Sequence, residues 1–299
     1  MNFLLMIINE YMKAKAIEII TSDKLKLKGF IFSKQKSKII YIIIHGLGGN
    51  LFSRFDLAEK LVNSAAVMVF NNRGAGIVNR FSKIDNKKGV YSSVQLGSSV
   101  ENFVDSILDI EAAVKLAGAE GYKKIILLGH SSGSNKIAYY LAHKIKTKVS
   151  GGILLAPMSD YALIKKETEP KVLSLALKTA QNLVKINQGD SFLPVKVWPH
   201  LISAKRFLSL YLEDSKEEIF SYANPDKKSI LKKIKKPLFI ILAENDECAD
   251  RDMGEIKVWF KKVLPAFCRL EIIGGTGHGF YDGANMLKNK ITKWSASLK

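Results

Sequence analysis

The chain has 299 residues, 47% hydrophobic and 25% charged, which is the make-up of an ordinary globular protein and enough for one large α/β domain with an insertion or for two small domains. Two cysteines, Cys248 and Cys268, and five scattered histidines exclude a disulfide framework and a C-x-x-C zinc site, so a reduced, cytoplasmic location is the expectation. The net charge of +18 invites a nucleic-acid or membrane reading, but only six of the 46 basic residues are arginine and the rest are spread lysines, which is the pattern of a solvated surface. No nucleic-acid partner is expected, and membrane attachment is only the second reading of the charge.

Met1 to Ile8 is apolar but lacks a basic flank and a small-residue cleavage site, and it is too short to span a bilayer. It is read as part of an N-terminal extension over 1–13, with Met12 as an alternative start. Ala14 to Thr21 and Leu25 to Phe32 read as a strand pair around the turn Ser22-Asp23-Lys24. Ile39 to Ile44 is a β-branched run, the mark of a strand buried on both faces, and ends in His45-Gly46-Leu47-Gly48-Gly49. A helical pattern over Ser53 to Ala65 leads to a buried strand, Ala66 to Phe70, closed by Asn71-Asn72-Arg73-Gly74-Ala75-Gly76. Residues 77–97 are polar and irregular and read as a long loop. Val100 to Leu116 is a helix, Lys124 to Leu128 a strand, and Val149 to Leu155 the sixth strand, ending at Ala156-Pro157-Met158-Ser159-Asp160.

The alternation then breaks. Residues 161–236 carry helical pieces, Val172 to Ile186 and Leu201 to Tyr211, and are too long for a crossover loop, so they read as an inserted helical cap. The alternation resumes with a strand over Leu238 to Leu242, a helix over Gly254 to Val263, a strand over Phe267 to Ile273 and a last helix after Phe280. The core is therefore 14–160 with 237–299. Alternating strands and helices predict a doubly wound, mostly parallel sheet with its chemistry at the carboxyl ends of the strands.

Gly129-His130-Ser131-Ser132-Gly133 falls at such an end, between a strand and the helical pattern that starts at Asn135. A serine there projects its hydroxyl from a sharp corner, and the two glycines let strand and helix pass closely. Serine needs a base, and the base needs an orienting group. His278, in the loop Gly274-Gly275-Thr276-Gly277-His278-Gly279, is the candidate base. His143 is expected to face solvent. Asp246 is the candidate orienting acid, with Asp250 and Glu247 as alternatives and helix capping as the bland role of Asp250 and Asp252. The backbone N–H groups of Leu47 and Ser132 are candidate oxyanion donors. His45, Gly46, His130, Trp198 and His200 are candidates for substrate contact. Phe192, Leu193, Trp198 and Leu201 would set acyl choice or form the cap's own core.

The order oxyanion loop, serine, aspartate, histidine resembles the α/β-hydrolase family from about Ala14 onward. Asn72-Arg73-Gly74-Ala75-Gly76 resembles that family's R-G-x-G turn, although the family more often has aspartate at the position of Asn71 or Asn72, which predicts a missing salt link. The sequences at 129–133, 156–160, Arg206-Phe207-Leu208-Ser209-Leu210 and Asn245-Asp246-Glu247 resemble the DUF1749 group of hydrolases. The resemblance implies an eight-stranded sheet with a cap after the sixth strand, and an esterase without metal or organic cofactor acting on a small acyl substrate. An acyltransferase or peptidase on the same triad, or a non-catalytic binding module, are the alternatives. A dehalogenase would need an acid where Ser131 stands.

Overall fold

A computed structural model describes residues 12–34, 36–85, 89–224 and 226–298. The expectations for residues 1–11 lie outside these. The strands are β1 (Lys13–Ile20), β2 (Leu25–Ser33), β3 (Ile39–Ile44), β4 (Ala66–Phe70), β5 (Asn79–Asp85), β6 (Val90–Leu96), β7 (Lys124–His130), β8 (Val149–Leu155), β9 (Leu238–Ala243) and β10 (Arg269–Ile273). The helices are α1 (Phe55–Leu61), α2 (Ser106–Ala119), α3 (Ser132–His143), α4 (Asp160–Glu167), α5 (Pro170–Lys185), α6 (Ala204–Tyr211), α7 (Met253–Val263) and α8 (Ala284–Ser297). Among the described residues no helix is long and apolar enough to cross a membrane.

The ten strands form one mixed sheet in the order β10-β9-β8-β7-β3-β4-β2-β5-β6, with β1 on the other edge of β2. From β10 to β4 every pairing is parallel, whereas β1, β2, β5 and β6 pair antiparallel. The expected eight-stranded sheet thus gains two strands, and the loop expected over 77–97 is instead the hairpin β5–β6. The reason is physical: Asn79–Asp85 and Val90–Leu96 bury only Phe81, so they carry almost none of the apolar pattern that marks a strand.

The β-branched runs work as expected of strands covered on both faces. In β3, Ile40, Ile42 and Ile44 face one apolar layer together with residues of α2, α3 and α7. Tyr41 and Ile43 face the opposite layer with residues of α1 and α8. Each such side chain contributes about 1.5–3 kcal/mol on burial, so the parallel strands form a stiff floor whose carboxyl ends are fixed in space.

Between β8 and β9 the chain packs in two ways. Leu173, Ala176, Ala180, Leu193, Trp198, Ile202, Ala204, Phe207 and Leu210 form a third apolar cluster of their own. Ile219, Phe220, Tyr222, Leu231 and Ile234, which belong to the same expected cap by sequence, instead join the layer under α3 and α7. Helix α4 was not predicted by periodicity; Ser159 caps it by accepting a hydrogen bond from Ala162 N–H.

Candidate active site

β7 ends at His130 and α3 begins at Ser132, so Ser131 is the whole turn. Its backbone sits at φ 56°, ψ −129°, a conformation that a side-chain-bearing residue rarely adopts. The neighbours enforce it. A Cβ on Gly129 would lie 2.5 Å from the Gly133 carbonyl, and one on Gly133 would lie 2.2 Å from the Ile44 oxygen, so only glycine lets β7, α3 and β3 meet here. Ser131 N–H is tied to the Leu155 carbonyl at 2.9 Å, and Ser134 Oγ donates to Gly129 and Leu155 at 3.0 and 3.1 Å.

Gly46 is folded against this corner: a Cβ there would stand 3.1 Å from Ser131 Cβ and 3.7 Å from its Oγ. Leu47 follows, exposed, at the mouth of the site. Among the described residues neither Leu47 N–H nor Ser132 N–H is spent on a protein acceptor. The helix N-terminus at Ser132 adds its dipole to the second of them.

His278 reaches the corner from the loop between β10 and α8, and each end of that loop is held. Arg54 Nη1 donates to Gly279 O at 2.6 Å, Glu247 Oε2 accepts from His278 N–H at 2.8 Å, and Asn245 N–H donates to Thr276 O at 2.9 Å. His130 Nε2 lies 2.8 Å from the His278 carbonyl, and the two rings are 4.8 Å apart, which sets His278 beside the residue preceding Ser131. Asp246 accepts from His278 Nδ1 with both oxygens, at 2.9 and 3.0 Å. The alternatives are occupied elsewhere: Asp250 pairs with Arg251, Glu247 holds the His278 backbone, and Asp252 caps α7 through Gly254 N–H. Among the described residues no hydrogen bond joins His278 to Ser131 Oγ; such contacts commonly tighten only when substrate is bound. Burial works against a charge on His278, but the buried Asp246 carboxylate, with Cys248 behind it, outweighs this and raises its pKa.

His45 and His130, both candidates for substrate contact, have ring nitrogens engaged by backbone groups. His45 is 2% exposed; its Nε2 accepts from Asn72 N–H at 3.2 Å, so its proton is on Nδ1 and is given to Gly46 O at 3.0 Å. Burial, with Lys136 nearby, lowers its pKa to about 4, which keeps it neutral. His130 has its donor on the His278 carbonyl, and burial and then Arg54 lower its pKa to about 3. Both brace the loops around Ser131 through these bonds. His143 is exposed, as expected.

Gly46 lies at the nucleophile, while Trp198 and His200 line a cavity of about 520 Å³ that opens beside Leu47. Leu193 and Trp198 are packed in the third apolar cluster, whereas Phe192 and Leu201 are exposed and line no part of this cavity. Sequence reasoning missed Asp160, Ile164, Val172 and Tyr211 in its wall. Only Asp160 had a signal, as the last residue of the motif after the sixth predicted strand. The wall holds three carboxyl groups, Asp160, Glu167 and Glu169, and no lysine or arginine, which is a sharp contrast with the chain's excess of lysine. Burial, and then the charge of Glu217, push Asp160 up to about 7.

Behind the site lies a buried ionic network. Arg206 of α6 donates to Ser98 O at 2.9 Å and pairs with Glu217 and with Glu101, the latter at 3.3 Å. Glu101 also pairs with Lys136 of α3 at 2.7 Å, and Lys136 reaches Asn72 Oδ1 at 3.2 Å. Asn72 is neutral, as the departure from aspartate implied, so the charge that Lys136 needs comes from Glu101. Arg73 finds its own partner in Asp109, at 2.8 Å.

A mixed sheet with a parallel core, a serine elbow after the central strand β7 and an Asp–His pair in the loops after β9 and β10 define the α/β-hydrolase fold. The model of the family described as "Protein of unknown function (DUF1749)" matches residues 90–279, and the chain belongs to that family. Solved structures agree on the fold. Siderophore hydrolase EstB from Aspergillus fumigatus is 17% identical with a TM-score of 0.69, covering 95% of this chain and 98% of its own. The α/β hydrolase GrgF from a Penicillium species is 16% identical with a TM-score of 0.64, covering 96% and 99%. An esterase from Pyrococcus furiosus is 19% identical with a TM-score of 0.59, covering 96% and 92%. A search of curated proteins found no match.

Proposed function

We propose that this protein is a cytoplasmic, cofactor-free serine hydrolase that cleaves a carboxylic ester of neutral or cationic character. The observation that carries the reading is the Asp246 carboxylate on His278 Nδ1, 2.9 Å away, with His278 tied to the residue next to the Ser131 elbow. Ser131 Oγ attacks the ester carbonyl and gives its proton to His278 Nε2. The oxyanion accepts hydrogen bonds from Leu47 and Ser132 N–H. His278 then protonates the leaving alcohol, leaving an acyl group on Ser131. Water, deprotonated by His278, releases the acid and restores the serine. Helices α4 to α6 act as the cap, and their cavity holds the part of the substrate that extends past Leu47.

The absence of cationic residues from that wall disfavours an anionic substrate by Coulomb repulsion and desolvation. A p-nitrophenyl ester series from acetyl to lauroyl tests the activity, and acyl chains of equal length ending in methyl, trimethylammonium or carboxylate test the charge preference. Turnover is expected to peak at short or medium chains, with the carboxylate ester at least about tenfold poorer in kcat/KM, and Asp160→Asn is expected to narrow that gap. Hydrolysis of no ester in the series, or preference for the carboxylate, contradicts the reading.

The pH profile follows from His278. The base works only when neutral, and its raised pKa places the rising limb of kcat/KM above the ordinary histidine value of 6.5. Asp246→Asn keeps the shape but removes the charge, so the limb is expected to move to lower pH while the plateau falls by about ten-thousand-fold. A pH–rate profile of both proteins checks this; an unmoved limb contradicts it.

A further inference from the structure

Cys248 has no part in the acyl-transfer steps above, yet it stands at their centre. Its backbone N–H donates to Asp246 Oδ1 at 2.9 Å, which turns the short loop after β9 so that the thiol comes up beside the Asp246–His278 pair. One carboxylate oxygen of Asp246, Cys248 Sγ and one ring nitrogen of His278 all lie within 4.8 Å of one another. Both carboxylate oxygens of Asp246 sit on Nδ1, which makes Nδ1 the ring nitrogen to which the cation is assigned. The sequence concealed this arrangement: Cys248 and His278 are far apart in the chain and show no metal-ligand spacing.

We propose that Asp246, Cys248 and His278 Nδ1 form a binding site for a thiophilic divalent cation, with Zn²⁺ as the best fit, and that its occupation switches the hydrolase off. A thiolate, an imidazole and a carboxylate are the three ligand types zinc takes, with water as the fourth. Tetrahedral zinc holds its ligand atoms about 3.5 Å apart, so closing the triangle on an ion needs movements of about 1 Å. The Asp246 side chain is fully buried, while His278 and Cys248 keep partial exposure, which gives the ion a route in.

The switch follows from proton placement. In the working site the neutral imidazole carries its proton on Nδ1, toward Asp246, and leaves the Nε2 lone pair for the serine proton. Binding of Zn²⁺ at Nδ1 moves the imidazole proton to Nε2, and the thiol gives its proton to solvent as the Zn–S bond forms. An imidazole with a proton on Nε2 and a metal on Nδ1 has no lone pair left for Ser131. Asp246 is taken up by the metal in the same event, so occupation removes both the base and its orienting group. Competition between protons and metal for the thiol and the imidazole makes binding stronger as pH rises.

Binding itself does not depend on the proposed hydrolase activity, whereas the inhibition does, and two readouts separate them. Chelator-treated full-length protein is titrated with Zn²⁺ against a chromophoric zinc chelator, and with Co²⁺ to observe the thiolate-to-cobalt charge-transfer band in the near ultraviolet. Ester hydrolysis is measured in parallel, each protein relative to its own metal-free rate. The expected result is one tight ion per chain, a cobalt–thiolate band, and inhibition reversed by EDTA. Cys248→Ser should bind at least about tenfold more weakly and lose the band, with its inhibition weakened to match. Cys268→Ser, which alters the other thiol, should behave as wild type. No stoichiometric binding, no band, or equal inhibition of Cys248→Ser overturns the site. Binding without inhibition of an active enzyme overturns the switch. If no ester is turned over, the binding and the cobalt band still decide the site, and the failure lies with the proposed activity.

Discussion

Ser131→Ala is expected to lower ester turnover by about a million-fold while leaving the fold intact. The size of the effect comes from the mechanism: without Oγ there is no acyl-enzyme, and the Asp246–His278 pair has no alcohol to deprotonate. What remains is binding in the cavity and the two N–H donors of Leu47 and Ser132, which stabilise attack by water only weakly. The stability should not change, because Ser131 Oγ makes no hydrogen bond among the described residues and the φ of 56° is imposed by the glycine contacts on either side. Alanine adopts that φ no worse than serine does. Steady-state hydrolysis together with a thermal melt checks both halves, and retention of more than about a thousandth of the wild-type rate would assign the nucleophile elsewhere.

The second large effect is on stability. Glu101→Ala is expected to cost about 3–5 kcal/mol, because it leaves two cations, Lys136 and Arg206, without their shared carboxylate in a region where both are about 1% exposed or less. Burial opposes the charge on Glu101, but Lys136 and Arg206 prevail and hold its pKa below the usual carboxylate value, so the network is charged in the folded state. In a chain of this size the loss corresponds to a fall in melting temperature of about 5–8 °C. The damage should also reach activity, since Lys136 contacts Asn72 and Asn72 N–H fixes His45, which bonds Gly46 beside Ser131. As a contrast, breaking the exposed pair Lys205–Asp190 should leave the melt unchanged. A melt of Glu101→Ala within a degree of wild type would mean that the network does not hold the structure together.

Much of this molecule was legible because its signals are local. Apolar runs such as Ile39–Ile44 and Leu238–Leu242 announce strands buried on both faces, and Gly129 and Gly133 announce a place where three backbones meet. Asp246 and His278 could be chosen because each follows a strand legible in the sequence. The hairpin β5–β6 was illegible because it buries almost nothing. The backbone bonds of His45 and His130 were illegible because composition does not reveal which ring nitrogen is already spent on a neighbour. The network of Arg206, Glu101, Lys136 and Glu217 joins residues 35 and 105 positions apart, brought together by the packing of α6 on the core. The same holds for the thiol of Cys248, whose position depends on a turn around Asp246. Long-range polar contacts, rather than the apolar frame, are where sequence reading failed.

The most direct test of the central claim is intact-mass analysis of the protein after reaction with a fluorophosphonate probe, followed by peptide mapping. The prediction is a single phosphonyl adduct per chain, located on Ser131, formed by wild type and abolished in Ser131→Ala. No adduct on wild type, or undiminished labelling of Ser131→Ala, would contradict the assignment of Ser131 as an activated nucleophile.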